Sequence, residues 1–117
     1  MPNFKSLRLT KDTLQLVVEV YQATRRFPAD ERFGLTSQMR RAAISVGANI
    51  AEGAGRGGDR EFAHFLRIAR GSVHELEFEV LAALELRLVS QEQAEALRSR
   101  LADQSRMLSG LIRKLSA

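Results

Sequence analysis

The chain contains no cysteine. That excludes disulfides and thiolate chemistry, and nothing in it points to an oxidising compartment. No apolar run approaches the roughly 20 residues needed to span a bilayer. The opening Met1-Pro2-Asn3-Phe4-Lys5-Ser6-Leu7-Arg8 lacks the apolar centre of a signal peptide, so a soluble cytoplasmic protein is expected. No stretch carries a strand signal, and no segment repeats. Aromatic residues are few, six Phe and one Tyr. They do not interleave with basic residues as a stacking platform for single strands would require. At 117 residues the chain is long enough for one modest core, so a single domain over residues 1–117 is expected.

What is present is helical periodicity and unevenly placed charge. Residues 1–71 hold 12 Lys and Arg against 7 Asp and Glu, and the remainder hold 6 against 7, giving the net charge of +4. Fifteen of the 18 cationic residues are Arg, whose planar fork suits phosphate, carboxylate and buried interfaces better than Lys does. One chain at +4 is only mildly basic, but the charges of several assembled copies would add.

Four helical segments are predicted. The first runs from Thr10 or Lys11 to about Arg26, with Leu14, Val17, Val18 and Tyr21 on one face, continued by Thr24, and Leu16, Val20, Ala23 and Phe27 in a second row. Phe4 and Leu7 read as an extended arm, and Pro28 stops the helix. The second starts at an N-cap on Thr36 and ends at Gly53. Its seam is Met39, Ala43, Val46, Ile50 and Gly53, flanked by the small residues Ala42, Ser45, Gly47, Ala48 and Ala51, which invite close helix approach. The third starts at an N-cap on Asp59 and repeats Phe62, Leu66, Ala69, Val73, Leu76, Val80 and Ala83 at four-three spacing. Phe65, Ile68, Phe78, Leu81, Leu84 and Leu88 widen its apolar surface beyond one stripe, so it should bury more than one side. Gly71 inside it implies close packing there. The fourth opens with the capping box Ser90 and Gln93 and uses Ala94, Leu97, Leu101, Leu108, Leu111 and Leu115, interrupted by Gln104. Short connections between four helices imply an all-α, antiparallel up-down-up-down four-helix bundle.

Motifs for chemistry are sparse. Gly53-Ala54-Gly55-Arg56-Gly57-Gly58 has the spacing of a dinucleotide loop, but a helix precedes it where that fingerprint needs a strand. Glu61 and His64 form a Glu-x-x-His pair, but a di-iron bundle needs a second such pair beside two more carboxylates, and no second Glu-x-x-His exists, since Gly71 stands at that offset before His74. No nucleophile pairs with a base. Neither catalysis, nor a cofactor, nor a metal is expected. The basic residues carry the sharpest functional reading. If position 40 lies level with about position 72, then Arg40, Arg56, Arg60, Arg67 and Arg70 make a cationic band suited to a nucleic-acid backbone. Arg41, Ser45, Asn49 and Glu52 read instead as a structural polar network. Arg41 is placed to pair with Glu52 or with Glu75 or Glu77 of a neighbour.

Several segments together carry a family resemblance: Phe27-Pro28, Glu31, Phe33 to Gln38, Arg40 to Ala43, Ser45, Asn49-Ile50-Ala51-Glu52-Gly53, Phe65 to Ser72, and Glu75-Leu76-Glu77. They resemble bacterial four-helix-bundle proteins encoded in intervening sequences of 23S ribosomal RNA genes, a family related to the accessory variability determinant of diversity-generating retroelements. The resemblance covers nearly the whole chain. It implies a ring-like homopentamer and, for the retroelement relatives, binding to nucleic acid and to a reverse transcriptase. The chain departs from the pattern in its Gly-rich loop, residues 53–58. The expected function is a non-catalytic, homo-oligomeric accessory that contacts RNA or DNA backbone. The alternative is a protein scaffold that binds a partner such as a reverse transcriptase without touching nucleic acid.

Overall fold

A computed structural model describes residues 4–116, with side chains from Leu7 onward. Among the described residues there are four α-helices and no strand: α1 (Phe4–Thr24), α2 (Leu35–Ala54), α3 (Asp59–Glu85) and α4 (Gln91–Ser116). A 3-10 turn, Ala29–Glu31, sits between α1 and α2. Contacts run round a ring, α1 to α2 to α3 to α4 and back to α1, an all-α arrangement consistent with a four-helix bundle. The molecule is a rod of 43 × 23 × 19 Å, its length matching the roughly 39 Å that 26 residues of α-helix span at 1.5 Å each. No described helix is long and apolar enough to cross a membrane.

The core follows the predicted seams. Met39, Ala43, Val46, Ile50 and Gly53 of α2 are buried, as are Leu66, Ala69, Val73, Leu76, Val80 and Ala83 of α3, while Phe62 is half-buried. In α1 the helix begins at Phe4, not at Thr10 or Lys11, and there is no extended arm at Leu7; the side chain of Phe4 lies outside the described residues. The reason is a seam that starts earlier than the apolar residues alone suggest. Leu9, Thr13, Leu16, Val20, Ala23 and Phe27 step by four and three, and all are buried. Thr13 disguises the pattern because it is polar. Of the other predicted row, Leu14 and Val18 face solvent.

The polar break in α4 has the same explanation. Gln104 is fully buried in its seam position, and its Oε1 lies 3.1 Å from the Thr13 hydroxyl. The two seam defects therefore meet each other across the α1–α4 interface. The Gln104 amide donates to Asp12 at 2.6 Å. Arg100 then bonds Asp12 at 2.5 Å and Glu19 at 2.8 Å, and its guanidinium is held further above its ordinary pKa, chiefly by the Glu19 bond. Buried polar groups cost free energy unless matched in this way.

The helix ends differ from expectation at two of three caps. Ser90 and Gln93 form the reciprocal capping box, at 3.0 and 3.1 Å. Thr36 does not cap α2, which begins one residue earlier; Glu31 reaches from the 3-10 turn to accept from the Leu35 amide at 3.1 Å. Asp59 is the first helical residue of α3, preceded by Gly58, with no side-chain cap bond. Gly71 has open space around it, so close packing does not account for a glycine there. α3 closes in a Schellman turn, with Leu88 donating to Ala83 and Arg87 to Leu84, and Arg87 occupies the left-handed position at φ 61°.

Candidate nucleic-acid interface

The level of α2 against α3 decides which basic side chains share a surface. The Ser45 and Ser72 hydroxyls are 3.0 Å apart, and Gly53 lies against Phe62 and Phe65. Position 40 is therefore level with about position 77 of α3, roughly five residues from the expected partner. Helical phase separates the cations further. Arg40 and Gly47, seven residues apart, both turn toward α1: Arg40 Nε donates to Thr24 Oγ1 at 2.9 Å, its guanidinium stands 4.3 Å from the Tyr21 ring, and a Cβ on Gly47 would meet Thr13 at 3.3 Å. Thr24 is buried and its hydroxyl also bonds the Val20 carbonyl at 2.8 Å. Arg40 is thus committed to α1 and does not join the other four arginines.

Those four lie along α3 and the turn before it. Arg56 bonds Glu52 at 3.0 Å and stands 3.8 Å from Glu61, with the Phe65 ring 5.1 Å away. Arg60 is exposed and has no bonded partner among the described residues. Arg67 donates to Ser116 Oγ at 3.2 Å and Arg70 to Ser109 Oγ at 3.2 Å, both on α4. A hydroxyl orients a guanidinium without cancelling its charge. Arg60, Arg67 and Arg70 therefore present uncompensated charge, unlike Arg100, whose two carboxylates match it.

The predicted structural network is smaller than expected. Asn49 donates to the Ser45 carbonyl at 2.8 Å and contacts its hydroxyl at 3.1 Å, and Ser45 meets Ser72. Glu52 is exposed and pairs with Arg56. Arg41 is exposed too, without an ion pair among the described residues, in a shallow depression shared with Gln38, Ala42, Ser45 and Glu75. Arg40, expected in the cationic band, is therefore the half-buried one of the two, and Arg41, expected in the structural network, is the exposed one, because Arg40 has the α1 phase and Arg41 the outward one. Of the Glu-x-x-His pair, Glu61 stands beside Arg56, and His64 packs edge-on to Phe65 at 5.3 Å.

Two features were not foreseen. Glu79 is 3% exposed, and its Oε1 has no hydrogen-bond partner among the described residues. Burial, then the neighbouring Glu75 charge and hydrogen bond, pushes its carboxyl up to about 7. The α1–α4 polar cluster also escaped notice, although Asp12 and Glu19 seven apart, and Arg100 and Gln104 four apart, have the spacing to face one another.

The sequence model for the 23S rRNA-intervening sequence protein matches residues 5–110. A crystal structure of a protein of unknown function from the S23 ribosomal protein family of Bacteroides thetaiotaomicron superposes with a TM-score of 0.86, at 21% identity, over 94% of this chain and 99% of that one. At that identity the likeness speaks to the fold alone. None of the curated proteins matches. The chain belongs to the 23S rRNA-intervening sequence protein family.

Proposed function

We propose that this protein is a cytoplasmic, non-catalytic accessory that binds the backbone of RNA or DNA as a homo-oligomer, with Arg60, Arg67 and Arg70 as its contacts, while Arg56, beside Glu52 and Glu61, is matched within the chain. The observation that carries the reading is the choice of partners. Arg100, between α1 and α4, meets two carboxylates, whereas Arg67 and Arg70 meet only serine hydroxyls and Arg60 meets nothing bonded among the described residues. Charge left uncompensated on one surface favours a polyanion. Neighbouring helices run antiparallel in this reading, up-down-up-down. Pairings of low with high residue numbers support that course, namely 12 with 104, 19 with 100, 45 with 72 and 70 with 109.

Self-association, as the ring of five that the resemblance implies, is supported by apolar side chains that one copy leaves in water. Leu7, Leu14 and Val18 share one side of α1, and Ile44 is exposed on α2. The kinship with the retroelement accessory determinant belongs to the same proposal. A scaffold role for a protein partner is favoured instead by Phe33, Phe78 and Leu86, which are exposed on other parts of the surface.

Salt titration separates the two. A backbone binder loses affinity steeply with salt, with a log–log slope of about −0.9 per phosphate contact on duplex DNA. R60Q/R67Q/R70Q should weaken binding and reduce that slope by roughly 2 to 3, with helicity and mass unchanged. Wild-type protein that shifts neither labelled RNA nor labelled DNA at low salt would overturn nucleic-acid binding and leave the scaffold reading.

A further inference from the structure

Where α1 meets the C-terminal half of α4, the surface opens into a groove of about 400 Å³ lined by Arg8, Leu9, Arg106, Met107, Gly110, Leu111 and Arg113. Its floor is apolar: Leu9 and Leu111 are buried and Met107 half-buried. Its rim is cationic, since Arg8, Arg106 and Arg113 are exposed. Among the described residues no carboxylate lines it. Arg106 is paired with Asp103, while Arg8 and Arg113 have no ion pair among the described residues. The adjoining depression along the same interface is different. There two carboxylates, Asp12 and Asp103, stand among Arg8, Lys11, Arg100 and Arg106, so the positive charge is partly offset.

We propose that this α1–α4 groove seats one nucleotide unit of a single-stranded nucleic acid, the phosphate on the Arg8, Arg106 and Arg113 guanidiniums and the base on the Leu9, Met107 and Leu111 floor. The inference rests on the nucleic-acid reading above and narrows it to unpaired strands at this second surface. Three physical points support it. Guanidinium forks match phosphate geometry. A base freed from pairing offers an apolar face together with its phosphate, whereas a duplex hides that face in its stack. A groove between two helices whose axes are about 8–10 Å apart is too narrow for a duplex to enter. The volume also lies within the roughly 300–1,000 Å³ of small-ligand sites. Without aromatic residues the floor offers aliphatic and thioether contact with the base, not ring stacking.

Gly110 provides a test that leaves charge untouched. A Cβ there meets only Arg113 Nη2, at 3.9 Å, so a larger side chain would grow into the groove, and replacing a mid-helix glycine favours the helix. Fluorescence anisotropy would compare labelled oligouridine with a labelled RNA duplex. The proteins are wild type, G110L, R8Q/R106Q/R113Q and R60Q/R67Q/R70Q. G110L is expected to weaken oligouridine binding by about tenfold, leaving the duplex on the α3 arginines unaffected. R8Q/R106Q/R113Q should cut the oligouridine salt slope by about 0.7, the value for one single-strand phosphate. Groove variants that bind oligouridine like wild type, or a G110L loss equal for strand and duplex, would sink the inference while the α3 surface stands. Polyglutamate competing as well as unlabelled oligouridine would sink it too, by making the groove a general anion sink. If wild type binds neither probe, the groove and the α3 reading fall together.

Discussion

At Gly53 the backbone of α2 approaches α3 so closely that a methyl group has no room: a Cβ would stand 2.7 Å from the Phe65 Cβ and 3.0 Å from Phe62 Cδ1. Gly71 is the opposite case, with nothing within 4 Å. Gly53→Ala should lower stability by about 1–3 kcal/mol through overpacking, and Gly71→Ala should raise it by about 1 kcal/mol through helix propensity. Urea denaturation of both variants checks the pair. Glu79 gives the chain a pH dependence of known sign. Its carboxyl is pushed up to about 7 in the folded protein, above the roughly 4.3 of an unfolded Glu. Between those values the folded state holds a proton that the unfolded state has released, so stability is greatest below the lower value and declines as pH rises to about 7. Melting temperature should fall across that window, and Glu79→Gln should remove most of the fall. An unchanged pH profile in that variant would assign the dependence to other groups. The buried Glu79 was not legible beforehand, because Glu75, Glu77 and Glu79 look alike in sequence and only packing determines which one is enclosed.

At the scale of elements, seams and their breaks explain where the helices lie. Thr13 and Gln104 each look like a flaw in an apolar repeat when read alone, and each is sound once the other is opposite it. Removing one partner strands the other, whereas removing both replaces a polar contact with an apolar one. Thr13→Val and Gln104→Leu should each cost about 1–2 kcal/mol, with the double variant costing less than the sum by about 0.5–1.5 kcal/mol. Exact additivity in that cycle would mean that the two side chains do not interact. Caps follow the same logic of local against distant partners. Ser90 and Gln93 were legible because both lie in one turn. The start of α2 was misplaced because Glu31, from the preceding 3-10 turn, supplies the acceptor.

For the molecule as a whole, the issue is how four helices distribute grease and charge. The third helix does carry more apolar surface than its chain covers: Phe78 is 71% exposed, and Ile68 and Leu81 are also open. On α1, Leu14 is 61% exposed, with Val18 one turn on. If copies of the chain meet through that side of α1, Leu14→Asp with Val18→Asp should reduce the mass seen by light scattering to that of one chain while helicity persists. A wild type already monomeric at working concentration would refute the assembly.

The sequence alone determined the four α-helices, the seams of α2 and α3, and the cap of α4, because periodicity and single-turn hydrogen bonds are local properties. The tertiary structure decided the rest. Only the level and rotation of α2 between its neighbours turned Arg40 to Tyr21 and Thr24 and left Arg41 in the open. Only the meeting of α1 with α4 brought Arg8 beside Arg106 and Arg113 across nearly the full length of the chain. Which charges are matched and which remain available to a partner depends on helix-to-helix distance and phase, and residues far apart in sequence acquire those relations only on packing.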